Sequence, residues 1–68
     1  MLIKRYIIRN MNPAMVQHLR DLDEKTYWII AAGDMASAWR KFTRQYFGPE
    51  LPDPADYDIS FHSLTPSA

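Results

Sequence analysis

The chain has 68 residues, no cysteine, and eight basic residues that balance eight acidic ones, so its formal net charge is zero at pH 7. A chain of this length forms one domain that buries only about 60% of its unfolded surface, and without cysteine no disulfide or thiolate-bound metal can stabilise it. Its 47% hydrophobic content excludes disorder by composition, and its zero charge argues against nucleic acid or an anionic membrane as the main partner. We therefore expect a dense apolar core, a partner subunit, or both.

The segment LIKRYIIR, residues 2–9, is rich in β-branched and aromatic residues and predicts a first strand. Strand alternation places Arg5 and Arg9 on one face of it. The segment is too basic and too short in apolar residues for a signal peptide or a membrane span, and the longest apolar run in the chain, residues 27–32, is also too short to cross a bilayer. We therefore expect a cytoplasmic protein with no membrane partner.

A short helix is predicted at roughly residues 13–22. Asn12 suits the N-cap and Pro13 suits the first helical position. Apolar residues then follow at helical spacing, at Met15, Leu19 and Leu22. His18 and Asp21 are three positions apart on this helix and could both bind one metal ion, but no spacing in the chain supplies the further ligands that such a site needs. We therefore predict no metal site.

The segment TYWIIAA, residues 26–32, predicts a second strand that ends at Gly33. Apolar residues occupy both of its faces, as is usual for a strand that is covered on both sides. We therefore expect this strand to be the central one of the sheet.

The strongest pattern in the chain is DMASAWRKFTRQYFGP, which predicts a long amphipathic helix. Asp34 is a good N-cap, and its charge suits the positive end of the helix dipole. Apolar residues form a narrow stripe at Met35, Ala38, Trp39, Phe42 and Tyr46. Basic residues point the opposite way, at Arg40, Lys41 and Arg44. Gly48 followed by Pro49 ends the helix.

Residues 49–56 hold three prolines and three acidic residues, and they predict a stiff acidic loop. The following segment YDISFHSL, residues 57–64, alternates between apolar and polar residues and predicts a third strand. The chain then ends in a polar tail at residues 65–68. We expect a single small α/β domain over residues 1–64.

The order of the elements is β-α-β-α-β. We expect an α+β fold in which the long helix packs on one face of a three-stranded sheet and the short helix lies between strands 1 and 2. If strands 2 and 3 share the sheet, the long helix could form a right-handed crossover between parallel strands. The short helix could also be an elaborated loop between antiparallel strands 1 and 2. Whether it covers the second face of the sheet stays open.

Asp58, Ser60 and His62 are the residue types of a hydrolase triad. In a triad the histidine lies between the other two residues, whereas here Ser60 is in the middle, and Asp58 and His62 would be about 13 Å apart along a strand. A half-exposed strand explains the same pattern. The two glycines are also too few for a Gly-rich phosphate loop. We therefore predict no enzymatic activity and no cofactor.

Two basic surfaces are candidate binding sites. The basic face of the long helix, formed by Arg40, Lys41 and Arg44, could contact phosphates or an acidic protein, or could simply be a solvated face. Trp28 could combine with Arg5 and Arg9 into an aromatic and basic surface suited to single-stranded nucleic acid, unless the short helix covers Trp28.

The acidic segment and the end of the long helix supply further candidates. The acidic cluster comprises Glu50, Asp53, Asp56 and Asp58. Phe47 falls off the apolar stripe and is either partly exposed or packed under the Pro-rich loop. Positive and negative residues are thus segregated along the chain, which suits docking on a macromolecule, with Trp28, Phe47 and Arg44 as anchors.

The stretch KTYWIIAAGDMASAWRKFTRQYFG, with the loop and strand that follow it, resembles small phage-encoded anti-host proteins, including anti-CRISPR proteins and phage inhibitors of host RNA polymerase. The resemblance covers roughly residues 25–64 and concerns the architecture, so no functional residue is carried over. It implies a stoichiometric inhibitor in the host cytoplasm that occupies a nucleic-acid-binding or partner-binding surface of a host protein, with the acidic cluster as the candidate phosphate mimic.

Three functional hypotheses follow. The first is a non-enzymatic protein-binding module, such as a phage inhibitor of a host defence or transcription complex. The second is a small nucleic-acid-binding protein that uses the basic helix face and Trp28. The third is an accessory or structural subunit that is stabilised by forming a homodimer.

Overall fold

The computed structural model describes residues 2–46 and 52–66. The elements follow the predicted order. They are strand β1 (Leu2–Asn10), helix α1 (Pro13–Asp21), strand β2 (Tyr27–Ala31), helix α2 (Met35–Tyr46), a 3₁₀ turn (Pro54–Asp56) and strand β3 (Tyr57–Pro66). The predicted α+β fold is confirmed, with a three-stranded antiparallel sheet and two helices.

The strands lie in the order β2-β1-β3, so β1 is central and the prediction of a central β2 is wrong. The prediction assumed that other elements pack on both faces of β2, because apolar residues occupy both. In the structure one face of β2 is uncovered, and its residues Tyr27 and Ile29 are 48% and 42% exposed. The charged residues of β1 argue against a central position for this strand. However, the long side chains of Lys and Arg can extend from a central strand until their charged groups reach water. Because β2 and β3 both run antiparallel to β1, they are parallel to each other, and α2 connects two parallel strands with β1 between them.

The core lies between α2 and one face of the sheet. Ile8 and Phe42 are completely buried, and Tyr6, Ile30 and Ala38 are buried around them. Full burial of one such large side chain contributes about 1.5–3 kcal/mol. Ala38, Trp39 and Phe42 of the predicted apolar stripe therefore form the packed face of α2, although Met35 at its first turn stays half-exposed.

Both predicted helix caps are present. The Asn12 side chain accepts hydrogen bonds from the backbone N–H groups of Ala14 and Met15, at 3.1 and 3.3 Å. The Asp34 carboxylate accepts one from the N–H of Ser37 at 2.7 Å. These bonds satisfy donors that the first turn of a helix leaves unpaired. The predicted stop at Gly48 and Pro49 lies outside the described residues.

Strand β3 extends to Pro66, two residues beyond the predicted end. It contains a β-bulge at His62, since Tyr6 pairs with Phe61 and Arg5 pairs with Ser63. The extra residue changes the phase of the strand, so Ser63 and Thr65 point to the same face as Ser60.

Helix α1 lies on the same side of the sheet as α2. Its side chains are largely exposed, and its inner residues Met15 and Leu19 face Trp28 and Tyr57 across a cavity of about 460 Å³. The question left open by the sequence is thus answered: within the described part of the chain, neither helix covers the second face of the sheet. Among these residues no helix has both the length and the apolar character needed to cross a membrane.

Candidate binding surface

The face of the sheet that carries no helix, called here the open face, is built by strand alternation. Side chains directly opposite each other on paired strands point to the same side. From one end of the sheet the rows are Tyr27, Arg9 and Asp58; Ile29, Ile7 and Ser60; Ala31, Arg5 and Ser63; and Ile3 with Thr65. The surface thus has apolar groups on β2, arginines on β1 and mainly hydroxyl groups on β3.

The apolar part of the open face is accessible. Tyr27 and Ile29 are 48% and 42% exposed, whereas Ile7 is only 9% exposed because its neighbours within the sheet surround it. Tyr27 and Ile29 are neighbours on this face and form a contiguous apolar patch. Such patches mark interaction sites more often than isolated exposed residues do.

The two arginines of the open face differ in their contacts. Arg5 is half-buried, and its Nε donates a hydrogen bond to Oγ1 of Thr65 at 3.0 Å. Arg9 is exposed and forms no ion pair or hydrogen bond with any described side chain, although Asp58 is its direct cross-strand neighbour. One guanidinium is therefore held in place, and the other is available to a partner.

Trp28 does not belong to this surface, so the predicted combination of Trp28 with Arg5 and Arg9 is wrong. Trp28 points to the helix-bearing face, where its ring centroid lies 4.9 Å from that of Phe42 and 6.4 Å from that of Tyr57. Trp39 completes this aromatic cluster, with its ring centroid 5.5 Å from that of Tyr57. Burial, together with the nearby charge of Asp56, raises the pKa of the Tyr57 hydroxyl.

The basic face of α2 is exposed as predicted, but two of its side chains have local partners. Arg40 donates a hydrogen bond to the hydroxyl of Ser37 at 3.2 Å. The Nζ of Lys41 donates to the backbone oxygen of Ala31 at 2.8 Å, on the outer edge of β2. Arg44 is exposed near the end of the helix. Lys41 thereby protects part of an edge strand from pairing with another chain.

Two of the acidic candidates, Asp53 and Asp56, have structural roles. The Asp53 carboxylate caps the 3₁₀ turn by accepting from the N–H of Ala55 at 3.0 Å. The Asp56 carboxylate accepts from Nδ2 of Asn12 at 3.5 Å, and its backbone oxygen accepts from the N–H of Met11 at 2.6 Å. Phe47 and Glu50 lie outside the described residues. Of the three predicted acids that the structure describes, Asp58 alone lies on the open face.

The residue types of a triad are not brought into a triad geometry. Asp58 and Ser60 lie on successive rows of the open face. His62 is exposed in the bulge, and its Nδ1 lies 2.9 Å from the hydroxyl of Ser63 rather than from that of Ser60. On α1, Asp21 accepts a hydrogen bond from Gln17 at 2.9 Å, and the described residues contain no cluster of three potential metal ligands.

Tyr27 and Ile29 are not among the binding residues predicted from the sequence. Both lie in a strand, and residues 27 and 29 necessarily face away from residues 28 and 30. Strand alternation alone could have identified them. If Trp28 and Ile30 pack against the long helix, Tyr27 and Ile29 must point to the other face.

Comparisons of the chain with protein-family models, with curated proteins and with solved structures find no match.

Proposed function

We propose that this chain is a non-enzymatic protein-binding module that contacts its partner through the open face. The observation that carries the proposal is the uncovered patch of Tyr27 and Ile29 beside Arg9. Tyrosine and arginine are the residues that most often dominate binding energy at protein interfaces, together with tryptophan. An uncovered sheet face also suits a macromolecule better than a small molecule, because small molecules usually bind in concave pockets.

The two edges of the sheet are less suited to docking than its face. On β2, the residues whose backbone groups point outward are Tyr27, Ile29 and Ala31, because Ala32 bonds to β1 through its own N–H. Lys41 occupies the oxygen of Ala31. On β3, the bulge at His62 and Pro66 interrupt regular pairing. Because both edges are protected from strand pairing and one face is uncovered, a partner is expected to contact the side chains of that face.

The resemblance to phage-encoded anti-host proteins extends the proposal. A chain of this kind would act in the host cytoplasm as a stoichiometric inhibitor that occupies a functional surface of a host defence or transcription complex. Inhibition by occupation requires no catalytic group and no cofactor in the inhibitor, only an interface that competes with the natural partner of the target.

A second candidate function is the binding of single-stranded nucleic acid on the same face. The observation that favours it is the cross-strand pairing of Tyr27 with Arg9, which places an aromatic ring beside a cation. The zero net charge of the chain opposes it. Phosphate contacts would make binding fall steeply with salt concentration.

The test is affinity capture from a host lysate with and without nuclease, using the tagged full chain. We expect capture of a protein that survives nuclease, is lost in the Tyr27→Thr/Ile29→Thr double variant, and persists in Leu64→Thr. Threonine keeps a β-branched side chain in each strand, and Leu64 is a matched control because it is 49% exposed on the helix-bearing side. Far-UV circular dichroism verifies that each variant is folded.

Three outcomes contradict the proposal. Capture that disappears with nuclease would assign the face to nucleic acid. Capture that the double variant leaves unchanged would move the interface to another surface, such as the basic face of α2. Melting that depends on protein concentration would identify self-association instead.

A further inference from the structure

We infer that the open face binds an extended acidic polypeptide segment with the pattern acid–x–apolar–x–acid. The inference rests on the proposed function and specifies its partner. Along β1, Arg5, Ile7 and Arg9 present cation, apolar group and cation on one side of the central strand. Residues four apart on a strand are about 13 Å apart, so an extended partner strand presents its own alternate residues at the same spacing.

The flanking strands complete the match to an acidic segment. The apolar residue of the segment would lie over Ile7 and the exposed Ile29 of the same row. The β3 side offers a hydroxyl donor at Ser60, which suits carboxylate oxygens. Arg5 is already oriented by Thr65, so less side-chain freedom is lost when its guanidinium binds a carboxylate.

Two symmetric arrangements of a second copy of the chain fit the face poorly. In a symmetric face-to-face dimer centred on Ile7, the arginines of the central strands face each other, and like charges at an interface are unfavourable. A copy shifted sideways by one strand would place Arg9 over the partner's Asp58, but it would leave Tyr27 and Ile29 uncovered. The charge pattern therefore favours a different, acidic partner.

The charges also favour a polypeptide over nucleic acid. Asp58 lies directly beside Arg9, and the acidic turn with Asp56 precedes β3 at the same end of the sheet. These carboxylates repel negative charge beyond Arg9, so a phosphate chain that continues past Arg9 is disfavoured more than a segment whose last acidic residue lies over Arg9. The open face also offers Tyr27 as its one aromatic side chain among the described residues, whereas single-strand binders usually stack successive bases on several.

The test uses defined probes and the full-length, isotope-labelled chain. The probe is the peptide acetyl-Thr-Glu-Thr-Ile-Thr-Glu-Thr-amide, the control peptide has Gln in place of both Glu residues, and the third probe is an oligothymidylate of about eight nucleotides. Amide chemical shifts locate binding and give the Kd. Two charge pairs, each contributing as much as a surface ion pair, predict about 2- to 30-fold weaker binding of the Gln peptide. The chemical-shift changes should be confined to the residues of the open face on β1, β2 and β3.

Matched variants separate this inference from the proposed function. Arg5→Gln/Arg9→Gln should weaken binding of the Glu peptide to the level of the Gln peptide, whereas Arg40→Gln/Arg44→Gln on α2 should leave it unchanged. Equal binding of the Glu and Gln peptides, or tighter binding of oligothymidylate, overturns the inference. If, in that case, protein capture from the lysate is still lost in Tyr27→Thr/Ile29→Thr, the protein-binding proposal stands and only the acidic specificity fails.

Discussion

On the helix-bearing face of the sheet, Ile8 is fully buried and Ile30 is 6% exposed. On the open face, Tyr27 and Ile29 are 48% and 42% exposed. Both faces belong to the same three strands and carry similar apolar residues. The difference arises because both helices lie on one side, where α2 supplies Phe42 and Ala38. In a chain of 68 residues, packing on the helix-bearing face therefore accounts for most of the stability, and Tyr27 and Ile29 on the open face are available for another role.

The largest difference between the two faces should appear on truncating Phe42. Phe42→Ala removes a fully buried ring, and such substitutions cost about 3–5 kcal/mol. A single core in a chain of this size rarely contributes more than about 3–5 kcal/mol of stability, so the variant should be largely unfolded. Ile29→Ala on the open face should cost less than about 1 kcal/mol. Urea denaturation followed by far-UV circular dichroism gives both values.

A milder pair keeps this comparison measurable even if Phe42→Ala does not fold. Ile8→Val should cost about 0.5–1.5 kcal/mol because it removes a buried methylene, whereas the same substitution at Ile29 should be almost neutral. Equal losses at the two positions would show that the open face is covered in solution.

The next largest effect separates two adjacent aromatic residues. Trp28→Ala removes ring contacts with Phe42 and Tyr57 and should cost about 3 kcal/mol. Tyr27→Ala removes a side chain that is half in water, and we expect a loss of about 0.5 kcal/mol. Thermal and urea unfolding of the two variants measure the difference. A Trp28→Ala variant that stays stable but loses partner binding would show that Trp28 belongs to the binding surface, and would contradict its placement against the core.

Features that depend on a few neighbouring residues could be predicted from the sequence. The caps at Asn12 and Asp34 each involve bonds to residues two or three positions away, so the local sequence determines them. The spacing of Ala38 and Phe42 likewise specified which side of α2 is packed. Sheet order could not be obtained in this way, because the pairing of Arg5 with Ser63 joins distant parts of the chain and no local rule selects it.

The candidate site was harder to predict than the fold. Tyr27 and Trp28 are adjacent aromatic residues, and a shift of one residue in strand phase exchanges their faces. The sequence does not show on which side of the sheet α2 lies. The prediction that combined Trp28 with Arg5 and Arg9 is wrong for this reason. Once α2 is placed on the side of Trp28, the composition of the open face follows from alternation alone.

A smaller effect is expected at the N-cap of α1. Asn12→Ala removes an acceptor for two backbone N–H groups, and loss of such a cap costs about 1 kcal/mol. Because α1 contains no buried residue, the loss should appear mainly as local fraying of this helix. Amide hydrogen exchange should therefore speed up in residues 13–21 and remain unchanged in α2. Equal acceleration in both helices would show that α1 is coupled to the core.

Asp34 provides the subtlest test, through pH. Hydrogen bonds from the backbone and the side chain of Ser37, aided by the charges of Arg40 and Lys4, hold the pKa of Asp34 below its ordinary value of 3.8. Because the folded-state pKa is the lower one, the ionised cap stabilises the fold at pH values above 3.8, and this stabilisation is lost as the pH falls through the folded-state value. Asp34→Asn keeps an oxygen acceptor at the cap but does not titrate there, so its stability should decline less than that of the wild type on acidification. Urea midpoints of both proteins measured between about pH 6 and about pH 2 would test this. A parallel decline would mean that the charge on Asp34 adds nothing to the cap, and that the hydrogen bond to Ser37 alone determines where α2 begins.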